Sequence, residues 1–258
     1  RMMTNAYSPF LKDKQSHLYI DYVNSLYGIL GKLRQKYPHL PVMLCSGGGG
    51  RVDYGALKYF TEFWASDNTD GLERIYIQWG YSYFFPAIAV CNHVTSWGKQ
   101  SLKFRTDVAM MGKMGYDIEV DKMTDNELKF SQDAVRNYNR IKDIIYTGDL
   151  YRLVSPYKEN RAVLMYVNRD KTRAVLFGYT LNSRYGETMN KVRLRGLDPL
   201  KTYKIQEINV SNEGRRGPGM GFGMTENGRT YTGNYLMNVG LNVGTGSPLS
   251  STVYEITE

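Results

Sequence analysis

Two stretches of the chain combine residue types and spacing that could do chemistry. The first is Cys45-Ser46-Gly47-Gly48-Gly49-Gly50-Arg51-Val52-Asp53. The second is Trp64-Ala65-Ser66-Asp67-Asn68-Thr69-Asp70. Each follows a short apolar run, at residues 40–44 and 60–65. Consecutive glycines let bare backbone approach a ligand, either an anion or the hydroxyls of a sugar ring. The stretch lacks the Gly-Lys-Ser/Thr ending of a P-loop, and four glycines in a row are no dinucleotide fingerprint. A tight turn needing positive φ would call for the same residues. Asp67 follows Trp64 and an apolar run, a low-polarity setting that favours the protonated carboxyl of a general acid. The competing reading, stronger on pattern alone, is that Asp67 merely caps the next helix. Asp53 and Asp70 carry the same ambiguity.

Other chemistries find less support. His93 is one of three histidines. A lone His after an apolar strand is more often structural, and no second ligand stands at convincing spacing, so no metal and no cofactor are expected. No G-x-S-x-G elbow is present.

The elements that must position these loops follow from periodicity. Tyr22, Leu26, Ile29, Leu30 and Leu33 lie on one face of a helix expected over 16–36, ended by Pro38 and Pro41. Residues 40–44, 60–65, 85–90 and 116–120 read as short buried strands, with helices opening near Gly71 and spanning 104–113 and 126–146. Repeated strand–loop–helix units predict a parallel α/β arrangement. In such folds ligands bind beyond the carboxyl ends of the strands, which here means 45–53, 66–70 and 92–95. Beyond Gly148 the pattern turns to strands alone, at 161–167, 173–181, 191–194, 203–210, 236–243 and 251–256, and predicts an antiparallel β-sandwich. The expected division is a first domain over 1–150, a linker over 151–160 and a β-domain over 161–258. The glycine-rich residues 214–228 read as a long loop.

Composition sets outer bounds. Hydrophobic residues at 42% and charged residues at 22% are ordinary for a globular chain. No apolar run is long enough to span a membrane. The net charge is +8, but Lys and Arg are scattered without a run of five or six, so nucleic acid is not an expected partner. Cys45 and Cys91 are too few for a disulfide framework and read as free thiols. The 22 Tyr and 3 Trp include residues suited to a sugar site. The opening Arg1-Met2-Met3-Thr4 shows no signal peptide and reads as cut from something longer. A cytoplasmic location is favoured.

In combination, the two loops, His93-Val94, Phe104-Arg105-Thr106-Asp107-Val108-Ala109-Met110 and Gly115-Tyr116-Asp117 resemble the retaining α-galactosidases of glycoside hydrolase family 36, in order and gaps, over roughly residues 1 to 150. The β-module behind them is similar in position to the family's C-terminal domain. The resemblance implies the C-terminal half of a (β/α)8 TIM barrel, strands five to eight, followed by the β-sandwich. Asp67 would be the general acid/base. Cys45 and Gly48 would line the sugar pocket, and Trp64 would shape the surroundings of the acid. The family's nucleophile is an Asp in a Lys-Trp-Asp-x-Asn-Arg motif, and Arg1 looks like its last residue. The nucleophile is therefore expected just upstream, and the 258 residues alone are expected to be inactive. Met43 stands where the family often has an acidic residue, which puts a local contact in doubt. The implied partners are α-galactoside oligosaccharides, with a homo-oligomer for the intact enzyme. α-N-acetylgalactosaminidase, galactosyl transfer and a non-catalytic sugar-binding or scaffold module are the alternatives.

Overall fold

The structure, a computed structural model, describes residues 6–183, 190–211, 226–244 and 247–258. The chain divides into two compact units, Arg1–Asp67 with Ala89–Cys91, and Asn68–Ile88 with Asn92–Glu258.

The first unit holds helix α1 (Leu18–Lys36) and strands β1 (Met43–Leu44) and β2 (Glu62–Trp64). It also holds the first residues of β3 (Val90–Thr95). The strands pair in parallel, with Leu44 opposite Phe63 and Trp64 opposite Cys91. Leu44, Phe63, Trp64 and Ala65 are buried, which is why these runs are apolar. The α1 face is half-buried at Tyr22, Leu26, Leu30 and Leu33, whereas Ile29, expected on it, is exposed. Arg34 ties the helix to the strands by donating from Nε to the Tyr59 carbonyl at 2.6 Å.

The second unit continues with α2 (Gly71–Tyr81), the rest of β3, α3 (Leu102–Ala109), β4 (Lys113–Asp117) and α4 (Asp125–Thr147). The sheet order is β1-β2-β3-β4, with α2 between β2 and β3 in sequence and α3 between β3 and β4. Boundaries shift, however. Residues 87–89 form a 3-10 turn, and the strand expected at 85–90 begins at Val90 and takes in His93. The α3 helix stops at Ala109, and Lys113 already opens β4. Pro86 in the earlier run is the physical reason for the late start of β3.

A six-stranded antiparallel sheet follows, made of β5 (Asp149–Val154), β6 (Arg161–Val167), β7 (Arg173–Thr180), β8 (Thr202–Ile208), β9 (Thr230–Thr232) and β10 (Ser250–Thr257). Its order is β5-β6-β7-β10-β8-β9. Residues 151–154, expected in a linker, are the end of β5, which is too short to set a period of its own. Residues 236–238, expected in a strand, belong to α5 (Gly233–Asn238), capped by the Thr232 hydroxyl. Most of the loop expected at 214–228 lies outside the described residues.

Both faces of this sheet are covered, and the period of two shows it. Leu164, Tyr166, Val175 and Phe177 face Phe104, Val108, Tyr138 and Ile141 of α3 and α4. Their strand neighbours Val163, Met165, Ala174 and Leu176 face Leu194, Leu197, Leu236 and Val243. Two segments of that second layer meet in an antiparallel bridge, Val192 to Leu241.

Asp107 joins α3 to the sheet. Its fully buried carboxylate accepts from Lys103 Nζ at 2.6 Å, Ser251 Oγ at 2.7 Å and Asn209 Nδ2 at 2.7 Å. Its carbonyl accepts from the Tyr179 hydroxyl at 2.8 Å. Burial, with Asp107 nearby, holds the Tyr179 phenol well above its ordinary pKa, so it remains a donor. Removing one partner of a buried ion pair strands the other. Asp107→Ala is expected to cost about 3–5 kcal/mol in urea unfolding; a loss under about 1 kcal/mol would show that the network carries no weight.

Candidate active site

The glycine loop starts where β1 ends. Cys45, next after Leu44, is exposed and has a free thiol. One residue beyond the pair Leu44–Phe63 come Cys45 and Trp64, on neighbouring parallel strands. The loop then folds on itself. The Ser46 N–H donates to the Gly48 carbonyl at 2.9 Å, and the Val52 N–H donates to the Gly49 carbonyl at 3.2 Å. The Gly49 N–H donates across to the Ala65 carbonyl at 3.1 Å.

Gly48 explains why this loop must be glycine. Its φ is +78°, and a Cβ there would sit 2.7 Å from Ser66 Cα and 3.0 Å from the Asp67 nitrogen. Both are backbone atoms, so neither can turn aside. The loop is thus a bracket of bare backbone lying against the residues that lead into Asp67. The Ser46 and Gly49 N–H groups are used within the protein. Gly48 itself is buried.

Asp53 turns out to be structural. Its Oδ1 accepts from the Ala56 N–H at 2.7 Å and from the Tyr27 hydroxyl at 3.2 Å. Burial first, and the Asp53 carboxylate second, raise the pKa of that phenol. Trp64 is 9% exposed, in a buried run with Phe63 and Ala65. Asp67, three residues on, is exposed, so the low-polarity setting expected for it is not what these residues provide. The chain leaves the apolar strand before it reaches the acid.

Asp70, rather than Asp67, caps α2. Its Oδ1 accepts from the Leu72 N–H at 2.9 Å and the Glu73 N–H at 3.2 Å. A carboxylate here also suits the positive end of the helix. Its own N–H donates to Asn68 Oδ1 at 3.1 Å, which closes the bend. The competing reading of Asp67 as a cap therefore fails, since the position is taken.

Sequence reasoning passed over two contacts within the second unit that hold Thr69 and Asp70. Gln100 Nε2 donates to both Asp70 oxygens, at 3.2 and 3.1 Å. The Thr95 hydroxyl donates to the Thr69 hydroxyl at 3.0 Å. No local pattern marks either partner, because both contacts bridge residues far apart in sequence. His93 lies within β3 against Gly115, whose Cβ would come 2.8 Å from the ring. Among the described residues no group of three or more His, Cys, Asp or Glu could hold a metal ion. No helix among them is long and apolar enough to cross a membrane.

Known proteins share this arrangement. The Melibiase family matches residues 1–148, and the glycosyl hydrolase family 36 C-terminal domain matches residues 161–256. Alpha-galactosidase AgaA of Geobacillus stearothermophilus is 34% identical over 195 residues, covering 73% of this chain and 27% of that protein. Alpha-galactosidase Mel36A of Lactobacillus acidophilus is 36% identical over 214 residues, covering 80% of this chain and 29% of that protein. A solved structure of a doubly substituted AgaA in complex with stachyose superposes with a TM-score of 0.82 at 30% identity, over 100% of this chain and 34% of that one. The chain thus spans less than a third of the length of the curated relatives it matches. It belongs to the Melibiase family of glycosyl hydrolases, as part of a barrel followed by the family 36 C-terminal domain.

Proposed function

We propose that this chain carries the acid/base side of the active centre of a retaining α-galactosidase, with Asp67 as the acid/base. The observation that supports this most is the bend at 66–70. Gly48 braces its entry, Asp70 caps its exit, and Asp67 stands between them without the capping duty. On this reading Cys45 and Gly48 belong to the wall of the galactose pocket, and Trp64 anchors the strand that delivers the acid. The domains we propose are 1–150 and 161–258, joined through 151–160, part of which is β5. The proposed substrates are oligosaccharides ending in an α-galactosyl residue.

The chemistry needs two carboxyl groups about 5 Å apart. In the first step a nucleophilic carboxylate, supplied by the segment that the family resemblance places ahead of Arg1, attacks the anomeric carbon. The Asp67 carboxyl gives its proton to the glycosidic oxygen, the bond breaks, and the leaving sugar departs with that proton. In the second step the Asp67 carboxylate takes a proton from water. The resulting hydroxide equivalent attacks the anomeric carbon and releases the nucleophile. Galactose leaves with its configuration retained.

Two tests follow, in a polypeptide that joins this chain to the nucleophile-bearing segment. Asp67→Asn is expected to lower kcat/KM for stachyose by about 10²–10⁴-fold, while bond cleavage in a dinitrophenyl α-galactoside, whose leaving group needs no proton, stays within about tenfold of the parent. Equal losses on both substrates would remove Asp67 from the acid role. Gly48→Ala pushes a methyl group into the Ser66 backbone and should cost about 100-fold in kcat; an unaltered rate would mean that the bracket does not govern the position of the acid.

A further inference from the structure

Helix α1 holds both sides of the contact that brings Gly48 against Ser66. On one side is the glycine loop, whose far end is tied to the helix at Asp53. The Tyr27 hydroxyl donates to Asp53 Oδ1 at 3.2 Å. The same oxygen accepts from the Ala56 N–H at 2.7 Å, where a 3-10 turn over Ala56–Lys58 begins. Gly55 makes room for this meeting, since a Cβ there would lie 3.0 Å from Asp53 Oδ1 and 3.3 Å from the Tyr27 hydroxyl. The Arg51 guanidinium, from the same loop, lies 5.4 Å from the centroid of the Tyr22 ring, also on α1. On the other side is Tyr59, which leads into β2. Its ring packs on Tyr27 with centroids 5.1 Å apart, and its carbonyl accepts from Arg34. Tyr27 and Arg34 stand two turns apart along one face of the helix.

One helix therefore grips both jaws of the contact, and all of these residues belong to the first unit. At Gly48 a Cβ would stand 2.7 Å from Ser66 Cα, so a shift of the loop passes to Ser66 and Asp67 instead of being absorbed by a side chain. Two bonds carry the connection from Asp53 back toward the acid. The Val52 N–H donates to the Gly49 carbonyl, and the Gly49 N–H donates to the Ala65 carbonyl. The Tyr27–Asp53 bond is the directional tie between loop and helix. A hydrogen bond prefers one distance and angle, whereas a cation over a ring can slide.

We propose that Tyr27 and Asp53 are a positioning pair for the acid. By tying the far end of the glycine loop to α1, they set the height at which Gly48 meets Ser66, and through it the placement of the Asp67 carboxyl at the glycosidic oxygen. Neither residue needs to touch the sugar. The inference rests on the α-galactosidase reading.

The test compares kcat/KM for stachyose, whose leaving sugar needs a proton, with that for a dinitrophenyl α-galactoside, whose leaving group does not. It uses the polypeptide that joins this chain to the nucleophile-bearing segment. Tyr27→Phe keeps the ring against Tyr59 and removes only the hydroxyl. It is expected to lower the stachyose value about tenfold and to leave the dinitrophenyl value within about twofold of the parent. Asp53→Ala should lower the stachyose value at least as far, and adding Tyr27→Phe to it should cost nothing more, because the bond is already gone. Asp53→Asn keeps an acceptor oxygen and should recover most of the rate. A mere loss of folded protein lowers both substrates alike and leaves their ratio untouched. Equal losses on the two substrates, no loss on stachyose, or losses that add in the double variant overturn the pair. If the parent hydrolyses neither substrate, the functional reading falls and the pair with it. If the parent hydrolyses both and Tyr27→Phe leaves the ratio unchanged, only the pair falls.

Discussion

A contact between two backbones governs this structure. At Gly48 the chain lies against Ser66 and Asp67 at a separation that leaves no room for a single methyl group. Side chains can swing away from a crowded neighbour, but peptide backbone cannot do so without moving its element. The start of the bend is therefore set by a rigid surface. Its end is set by a helix cap, Asp70, whose carboxylate also receives Gln100. Asp67 follows directly on that rigid surface. Catalytic groups need placement of this kind, because a misplacement of about 1 Å is enough to cost orders of magnitude in rate.

The second unit has a different anchor. Its sheet is covered on both faces, so residues 162–167 of β6 and 174–179 of β7 are apolar rather than alternating. Apolar packing alone would let α3 slide over such a surface. The buried carboxylate of Asp107 fixes the register by accepting from its own helix, from β10 and from Asn209 beyond β8. A charge buried this deeply is stable only with all of its partners in place. The network thus acts as a lock as well as a contact.

The sequence was legible where one segment explains itself. The amphipathic α4, with Ala134, Tyr138, Ile141 and Ile145 buried, and the continuous apolar β6 could be read directly from their periods. The glycine run is conspicuous in the sequence, but the close approach of Gly48 to Ser66 is not, since it joins segments eighteen residues apart. The late start of β3 and the hidden β5 were missed because short strands carry too few residues to set a period. The clasp of Gln100 on Asp70 spans thirty positions and leaves no local trace. The exposure of Trp97 was equally invisible, because Trp64, Trp79 and Trp97 look alike until burial separates them.

The central claim is that Asp67 acts as both acid and base. An acid/base carboxylate is needed in the second step only to deprotonate water, so an anion that needs no deprotonation should replace it. The most direct measurement is the turnover of a dinitrophenyl α-galactoside by the Asp67→Ala variant, in the polypeptide that also bears the nucleophile, with and without azide. The account predicts that azide accelerates turnover and that the product is the galactosyl azide with retained, α, configuration. Turnover indifferent to azide, or an azide product of inverted configuration, would contradict it.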